Sequence, residues 1–235
     1  MWGATQVYVQ YHGRQALKGV SVAADPGKVT AVVGGDGAGK TSLLRCVAGV
    51  VAPSSGTVRR PERSRLGYLA PGGGIYRDLS VMENLRFRTA AYGVKTGYEE
   101  YLEQAGLAPF TSRLAGQLSG GMLRKLAVIA AMLPEPSLLV LDEPSTGVDP
   151  VSRSDLWWLI TRAAASGTAV LMSSTYLDEA ARAAQVLVLD TGTELTSGTP
   201  GEIVRGVPGA GSLRDALVAL QLAREETESR EGPRS

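Results

Sequence analysis

The chain has one cysteine, Cys46, and one histidine, His12. A lone cysteine excludes an internal disulfide and a cysteine-ligated zinc site, and a lone histidine offers no companion for a metal role. Charge of one sign is also missing. With 24 Lys+Arg against 23 Asp+Glu, the net charge of +1 provides no basic field for nucleic acid. Long apolar runs are absent too. Leu126–Leu133, among the longest clean ones, falls far short of the roughly 18 residues a membrane span needs. Met1-Trp2-Gly3-Ala4 begins no basic-then-apolar leader. A soluble, cytosolic chain is expected, with any membrane role supplied by a separate partner. Its 235 residues and 44% apolar content suit one large domain, or a core with a smaller subdomain.

What is present begins with Gly34-Gly35-Asp36-Gly37-Ala38-Gly39-Lys40-Thr41, which fits the phosphate-binding P-loop pattern G-x-x-x-x-G-K-[ST]. The apolar run Val29–Val33 precedes it as a strand, and Ser42-Leu43-Leu44-Arg45-Cys46-Val47-Ala48 begins a helix after it. Glycines let backbone N–H groups converge on a triphosphate, and the helix N-terminus adds positive potential. In this pattern Lys40 neutralises the β- and γ-phosphates and the Thr41 hydroxyl is a Mg²⁺ ligand. Cys46, on that helix, reads as a small buried hydrophobe.

Strands are expected at Val7–Tyr11 and Val20–Ala23, separated by a turn at His12-Gly13-Arg14, and at Thr57–Arg59 and Arg65–Leu69. Tyr11 could stack on an adenine, although a strand tyrosine is more often packing. Asp78–Leu85 opens a helical region in which Ser80 and Glu83 have capping-box spacing. Helical signals continue to Leu133, so about 77–134 reads as a helical subdomain inserted into an α/β core. The core resumes with Leu138-Leu139-Val140-Leu141-Asp142-Glu143, an unbroken aliphatic strand ending in two carboxylates. Its strand is buried, so the carboxylates emerge at the carboxyl end of a parallel sheet, where ligands bind. Asp142 would hold Mg²⁺ through water, and Glu143 would be the general base. Trp157 and Trp158 read as packing residues. Thr168–Met172 and Gln185–Leu189 supply two further strands. Beyond Arg205 a short helix near Leu213–Leu220 and a frayed charged tail are expected.

Leu118-Ser119-Gly120-Gly121-Met122 precedes a helix with Met122, Leu126, Ile129 and Leu133 on one face. Ser119 stands at the N-cap, and two glycines bare the N–H groups at the positive helix end. Here the chain resembles the ATP-binding cassette (ABC) family, whose signature is Leu-Ser-Gly-Gly-Gln. The resemblance runs from Tyr11 to about Glu202. It implies a P-loop NTPase of α/β class: a RecA-like core, an antiparallel β subdomain and the inserted helices. The ATPase domain would span 1–204, with 205–235 as the C-terminal helix and tail. It further implies Mg²⁺ and ATP as ligands, with Tyr11 on the adenine and Ser42 beside the P-loop. Ser145-Thr146-Gly147-Val148-Asp149-Pro150 resembles the loop through which two cassettes contact each other, which places Asp149 near nucleotide. In such head-to-tail pairs each ATP lies between one chain's P-loop and the other's Ser-Gly-Gly. The Asp78–Leu85 and Tyr176–Ala180 segments are most similar to ATPase subunits of ABC-2-type drug exporters. Asp36 and Met122 resemble their tandem-ATPase branch. The implied partners are a second cassette and an ABC-2-type permease, and the implied place is the inner face of the cell membrane. Nucleic acid is not among the implied partners.

Two family residues are missing. The glutamine expected after Gly67-Tyr68-Leu69 falls on Pro71, and no glutamine occurs between Gln15 and Gln104. The γ-phosphate histidine expected after Met172-Ser173-Ser174 falls on Thr175. Proline offers no side-chain hydrogen bond, and threonine is too short to reproduce an imidazole's reach. A weaker ATPase site is therefore expected. A ribosome- or DNA-directed cassette is disfavoured by the chain's length, and a RecA-like recombinase by its near-neutral charge and Ser-Gly-Gly. A mainly regulatory nucleotide-binding module is the alternative suggested by Pro71 and Thr175.

Overall fold

The computed structural model describes the backbone of residues 1–94 and 98–231, and their side chains as far as residue 226. Residues 95–97 of the expected helical subdomain and 232–235 of the expected tail lie outside that set. The first layer is an antiparallel sheet of β1 (Trp2–Tyr11), β2 (Arg14–Ala24) and β4 (Ser55–Arg59), ordered β2-β1-β4. His12 takes φ 45° in the turn between the first two strands.

The second layer is a six-stranded sheet. Its strands are β3 (Val29–Val33), β5 (Leu66–Leu69), β6 (Leu138–Leu141), β7 (Ala169–Ser173), β8 (Gln185–Asp190) and β9 (Thr193–Gly198). The order is β5-β6-β7-β3-β8-β9, parallel except for the last strand. Successive residues face opposite sides of a strand, so an aliphatic run buried on both faces splits between two cores. Val29, Ala31 and Val33 of β3 join Leu139 and Leu141 of β6 on one face. Val32 joins Leu138 and Val140 on the other, beneath α1 (Lys40–Val47) and the smaller sheet. Cys46 is fully buried there, as expected.

The inserted segment holds α2 (Val81–Tyr92), α3 (Glu99–Gln104) and α4 (Gly120–Met132). The Ser80–Glu83 capping box forms in full. Helix α4 is apolar nearly all round because it serves two cores. Leu126, Ile129 and Leu133 pack among the inserted helices, while Ala127, Val128 and Ala131 cover the parallel sheet. After α5 (Pro150–Ala165) and α6 (Leu177–Ala180), the chain adds elements that the sequence reading missed. These are β9 and α7 (Pro200–Arg205), the latter with a Thr199–Glu202 capping box. The final helix, α8, runs Leu213–Glu231, so it does not fray after Leu220 as expected.

Candidate nucleotide site

Parallel strands end at one edge, so the segments following β3, β5, β6, β7 and β8 converge there. The P-loop follows β3, a central strand paired with both β7 and β8. Gly39 takes φ 105° at the N-cap of α1, and no side chain caps the helix, which leaves its amides available to an anion. A Cβ at Gly39 would stand 2.8 Å from the Ala16 carbonyl oxygen, so only glycine fits. Lys40 curls back over its own loop. Its Nζ donates to the carbonyls of Gly34 at 2.8 Å and Gly35 at 3.0 Å, and lies 3.7 Å from Glu143 Oε1.

The carboxylate pair arrives from β6, two strands away from β3. Asp142 is fully buried, and its Oδ1 accepts from Thr41 Oγ1 at 3.2 Å and Ser173 Oγ at 2.8 Å. Burial pushes the Asp142 carboxyl above its usual range; the two hydroxyl bonds oppose that, neighbouring Glu143 adds to it, and Arg45 opposes it. Its other oxygen, Oδ2, is buried with no partner. A buried carboxylate oxygen without a donor, beside a threonine hydroxyl at a P-loop, fits a divalent cation and its water shell. Glu143 sits at φ 49°, a left-handed conformation costly for a non-glycine residue and concentrated at functional sites. It is fixed from both ends: its N–H donates to Ser173 Oγ at 2.9 Å, and its Oε2 accepts from Thr146 Oγ1 at 2.9 Å. Ser173 therefore holds the Asp142 carboxylate and the Glu143 backbone, a role the sequence reading did not assign.

These groups open onto a cleft of about 780 Å³ lined by Tyr11, Gly35, Asp36, Gly37, Ala38, Gly39, Lys40, Thr41, Ser42 and Glu143. Tyr11 is half-buried at the end of β1, with its hydroxyl buried and unpartnered. Arg14, Lys18 and the turn Asp190-Thr191-Gly192 also line the cleft. They come from β2 and the β8–β9 connection, and no local pattern marked them.

Ser119, Gly120, Gly121, Asp149 and Thr175 do not line this cleft. Ser119 caps α4 by accepting from Met122 N at 3.2 Å, and it is exposed. Gly121 has a packing reason to be glycine, since a Cβ there would stand 2.3 Å from Ser152 Oγ on α5. The need for two glycines is thus not explained by an anion alone. Asp149 caps α5 through Val151 N and Ser152 N, and these bonds lower its carboxyl pKa. Thr175 is exposed before α6. Pro71 is exposed too, and its carbonyl accepts from Arg124 at 3.1 Å. The loops after β6 and β7 also hold a buried carboxylate that the sequence reading overlooked. Glu179 Oε2 accepts from Ser145 Oγ at 2.9 Å and Ser174 Oγ at 2.6 Å, tying the loops after β6 and β7 together.

A P-loop after a central parallel strand, facing a buried Asp and a partly exposed Glu two strands away, defines a P-loop NTPase. Residues 17–146, more than half of the chain, match the ABC transporter family, and the chain belongs to that family. It is 41% identical over 198 residues to the probable multidrug ABC transporter ATP-binding protein YbhF of Escherichia coli (strain K12). That match covers 78% of this chain and 34% of the relative, so the chain spans about a third of YbhF. It is 34% identical over 209 residues to the daunorubicin/doxorubicin resistance ATP-binding protein DrrA of Streptomyces peucetius, covering 82% of this chain and 63% of that one. Among solved structures, an ATP-binding subunit of an ABC transporter superposes with a TM-score of 0.84 at 27% identity, covering 94% of this chain and 99% of that one. No helix among the described residues is long and apolar enough to cross a membrane.

Proposed function

We propose that the chain is the Mg-ATP-binding and ATP-hydrolysing subunit of an ABC-2-type exporter of drug-like small molecules, and that its own ATP site is the weaker half of an asymmetric pair. The observation that carries the nucleotide reading is the meeting of Thr41 with Asp142 beneath the Lys40 loop, with Asp142 Oδ2 left unpartnered. The names of YbhF and DrrA support the exporter reading.

In this reading the P-loop amides and Lys40 bind the β- and γ-phosphates, and Tyr11 takes the adenine. Thr41 and Asp142 would hold Mg²⁺, which when bound neutralises charge on the transferring phosphoryl group. Lys40 exchanges the Gly34 and Gly35 carbonyls for phosphate oxygens. Glu143, held by Ser173 and Thr146, accepts the proton of the attacking water at a carboxylate oxygen. Pro71 and Thr175 supply neither the amide nor the imidazole expected at their places. Loss of one well-placed transition-state donor costs on the order of 10²–10³ in rate. Ser119, Gly120, Gly121 and Asp149 would instead face the ATP of a second cassette. That accounts for their distance from this chain's cleft.

Docking of a permease is assigned to the surface around 72–77 and the start of α2. Tyr76 and Phe87 are both about half exposed there, edge to face at 5.1 Å.

The test is reconstitution with a candidate second cassette and a candidate ABC-2-type permease. Hydrolysis should be fast only for the mixed pair, and Glu143→Gln in this chain should leave most turnover in place. If that substitution abolishes turnover while the equivalent change in the partner does not, the asymmetry is the reverse of the one proposed.

A further inference from the structure

Helix α8 lies outside the span that matches the family, yet one of its residues reaches the wall of the nucleotide cleft. All three nitrogens of the Arg224 guanidinium are engaged by the turn between β8 and β9. Nε lies 3.2 Å from Asp190 Oδ2, Nη1 donates to Thr193 Oγ1 at 3.0 Å, and Nη2 donates to Thr191 Oγ1 at 3.1 Å. A guanidinium is planar and rigid, so three acceptors at fixed positions define one turn shape.

That turn is strained. Thr191 is β-branched and sits at φ 45°, a region such residues avoid, so the conformation persists only where its surroundings impose it. The turn also presses on the P-loop. Gly192 N donates to the Ala38 carbonyl at 3.1 Å, and Lys18 N donates to the Gly192 carbonyl at 2.8 Å. A Cβ on Gly192 would stand 2.7 Å from the Ala16 carbonyl oxygen, so the backbones are in direct contact. Asp190, Thr191 and Gly192 line the same cleft as Lys40.

We infer that Arg224 is a positioning residue for the nucleotide site: it clasps the strained Asp190–Thr193 turn, which holds the P-loop at Ala38. The inference rests on the nucleotide reading above. It makes the C-terminal helix and the nucleotide reciprocal ligands of one turn, so whatever draws α8 away loosens ATP, and ATP tightens α8.

The test compares wild type, Arg224→Ala and Arg224→Ala/Thr191→Gly in the full chain. Two readouts are taken: Mg-ATP affinity by calorimetry, and hydrogen exchange of the Gly192 amide without nucleotide. Arg224→Ala should bind Mg-ATP at least about fivefold more weakly and exchange the Gly192 amide faster. Glycine at 191 accepts the left-handed conformation without a clasp, so the double variant should recover both. A clasp that merely stabilised the fold would not be replaced by a glycine in the turn. Wild-type affinity and exchange in Arg224→Ala would overturn the inference, as would weaker binding with unchanged Gly192 exchange. If wild type itself binds no Mg-ATP, the nucleotide reading fails, and the positioning of Ala38 is judged on Gly192 exchange alone.

Discussion

Thr41 and Asp142 are 101 positions apart, and the hydroxyl of one donates to the carboxylate of the other at 3.2 Å. Thr41 lies in the first turn of α1, after β3; Asp142 directly follows β6; β7 lies between β3 and β6 and contributes Ser173 to the same carboxylate oxygen. Strand order closes this contact, and each group in it has a measurable consequence.

Lys40 faces the P-loop carbonyls and Glu143 at once. Lys40→Ala removes a charged donor worth about 1.5–3 kcal/mol, so Mg-ATP affinity should fall roughly 10- to 100-fold. Calorimetry giving equal affinities for wild type and variant would refute the phosphate role of Lys40.

Asp142 is a fully buried carboxyl. Its carboxyl pKa is raised in the folded state, chiefly by burial, so folding favours the protonated form. That contribution is present below the ordinary value of 3.8 and is lost as pH rises through the raised value, where the buried group takes its charge. Asp142→Asn should therefore raise Tm at pH 7, by about 2–4 °C for each kcal/mol relieved, while abolishing the Mg²⁺ dependence of ATP binding. The gain should shrink as the pH is lowered into the acid range. A lower Tm at pH 7, measured by calorimetric scans across pH, would contradict this.

Gly121 is held against α5. Gly121→Ala places a methyl group 2.3 Å from Ser152 Oγ and 2.6 Å from Ser152 Cβ, so rotating the serine cannot make room. Overpacking of this kind costs about 1–3 kcal/mol. Ser152→Gly should return most of that loss in denaturant titrations of the double variant, and failure to do so would place the strain elsewhere.

Glu179 joins the loops after β6 and β7 through two serine hydroxyls. Glu179→Ala leaves Ser145 and Ser174 without their acceptor and should lower stability by about 1–3 kcal/mol. Glu179→Gln keeps an acceptor oxygen and should retain most of it. Equal melting losses for the two variants would show that the hydroxyl bonds contribute little.

Tyr76 is one of the two exposed aromatics of the proposed docking surface. A cysteine at that position should crosslink to the permease in membranes holding the active transporter. Capture from Val151, which is exposed on α5, should be absent. Crosslinking from 151 and none from 76 would move the interface.

Contiguous signals were legible in the sequence because their physics is local. The P-loop needs glycines, Lys40 and Thr41 in one run, and the Ser80–Glu83 cap needs only two residues three apart. The aliphatic strands announced themselves because both of their faces are buried. The same uniformity hid their order, since a strand apolar on both sides carries no mark of its neighbours. Strand β9 escaped because Thr193-Glu194-Leu195-Thr196-Ser197-Gly198 is a half-exposed edge with little apolar alternation. The charges of α8 read as a fraying tail, whereas one of them, Arg224, anchors the helix to the β8–β9 turn. Residue types thus determined which groups could bind a nucleotide. Only the tertiary structure decided that Ser173 holds the Asp142 carboxylate and the Glu143 backbone, that Glu179 joins two loops, and that Arg224 reaches the cleft wall. Each of those contacts spans more than one element, and its partner is chosen by packing rather than by sequence neighbourhood.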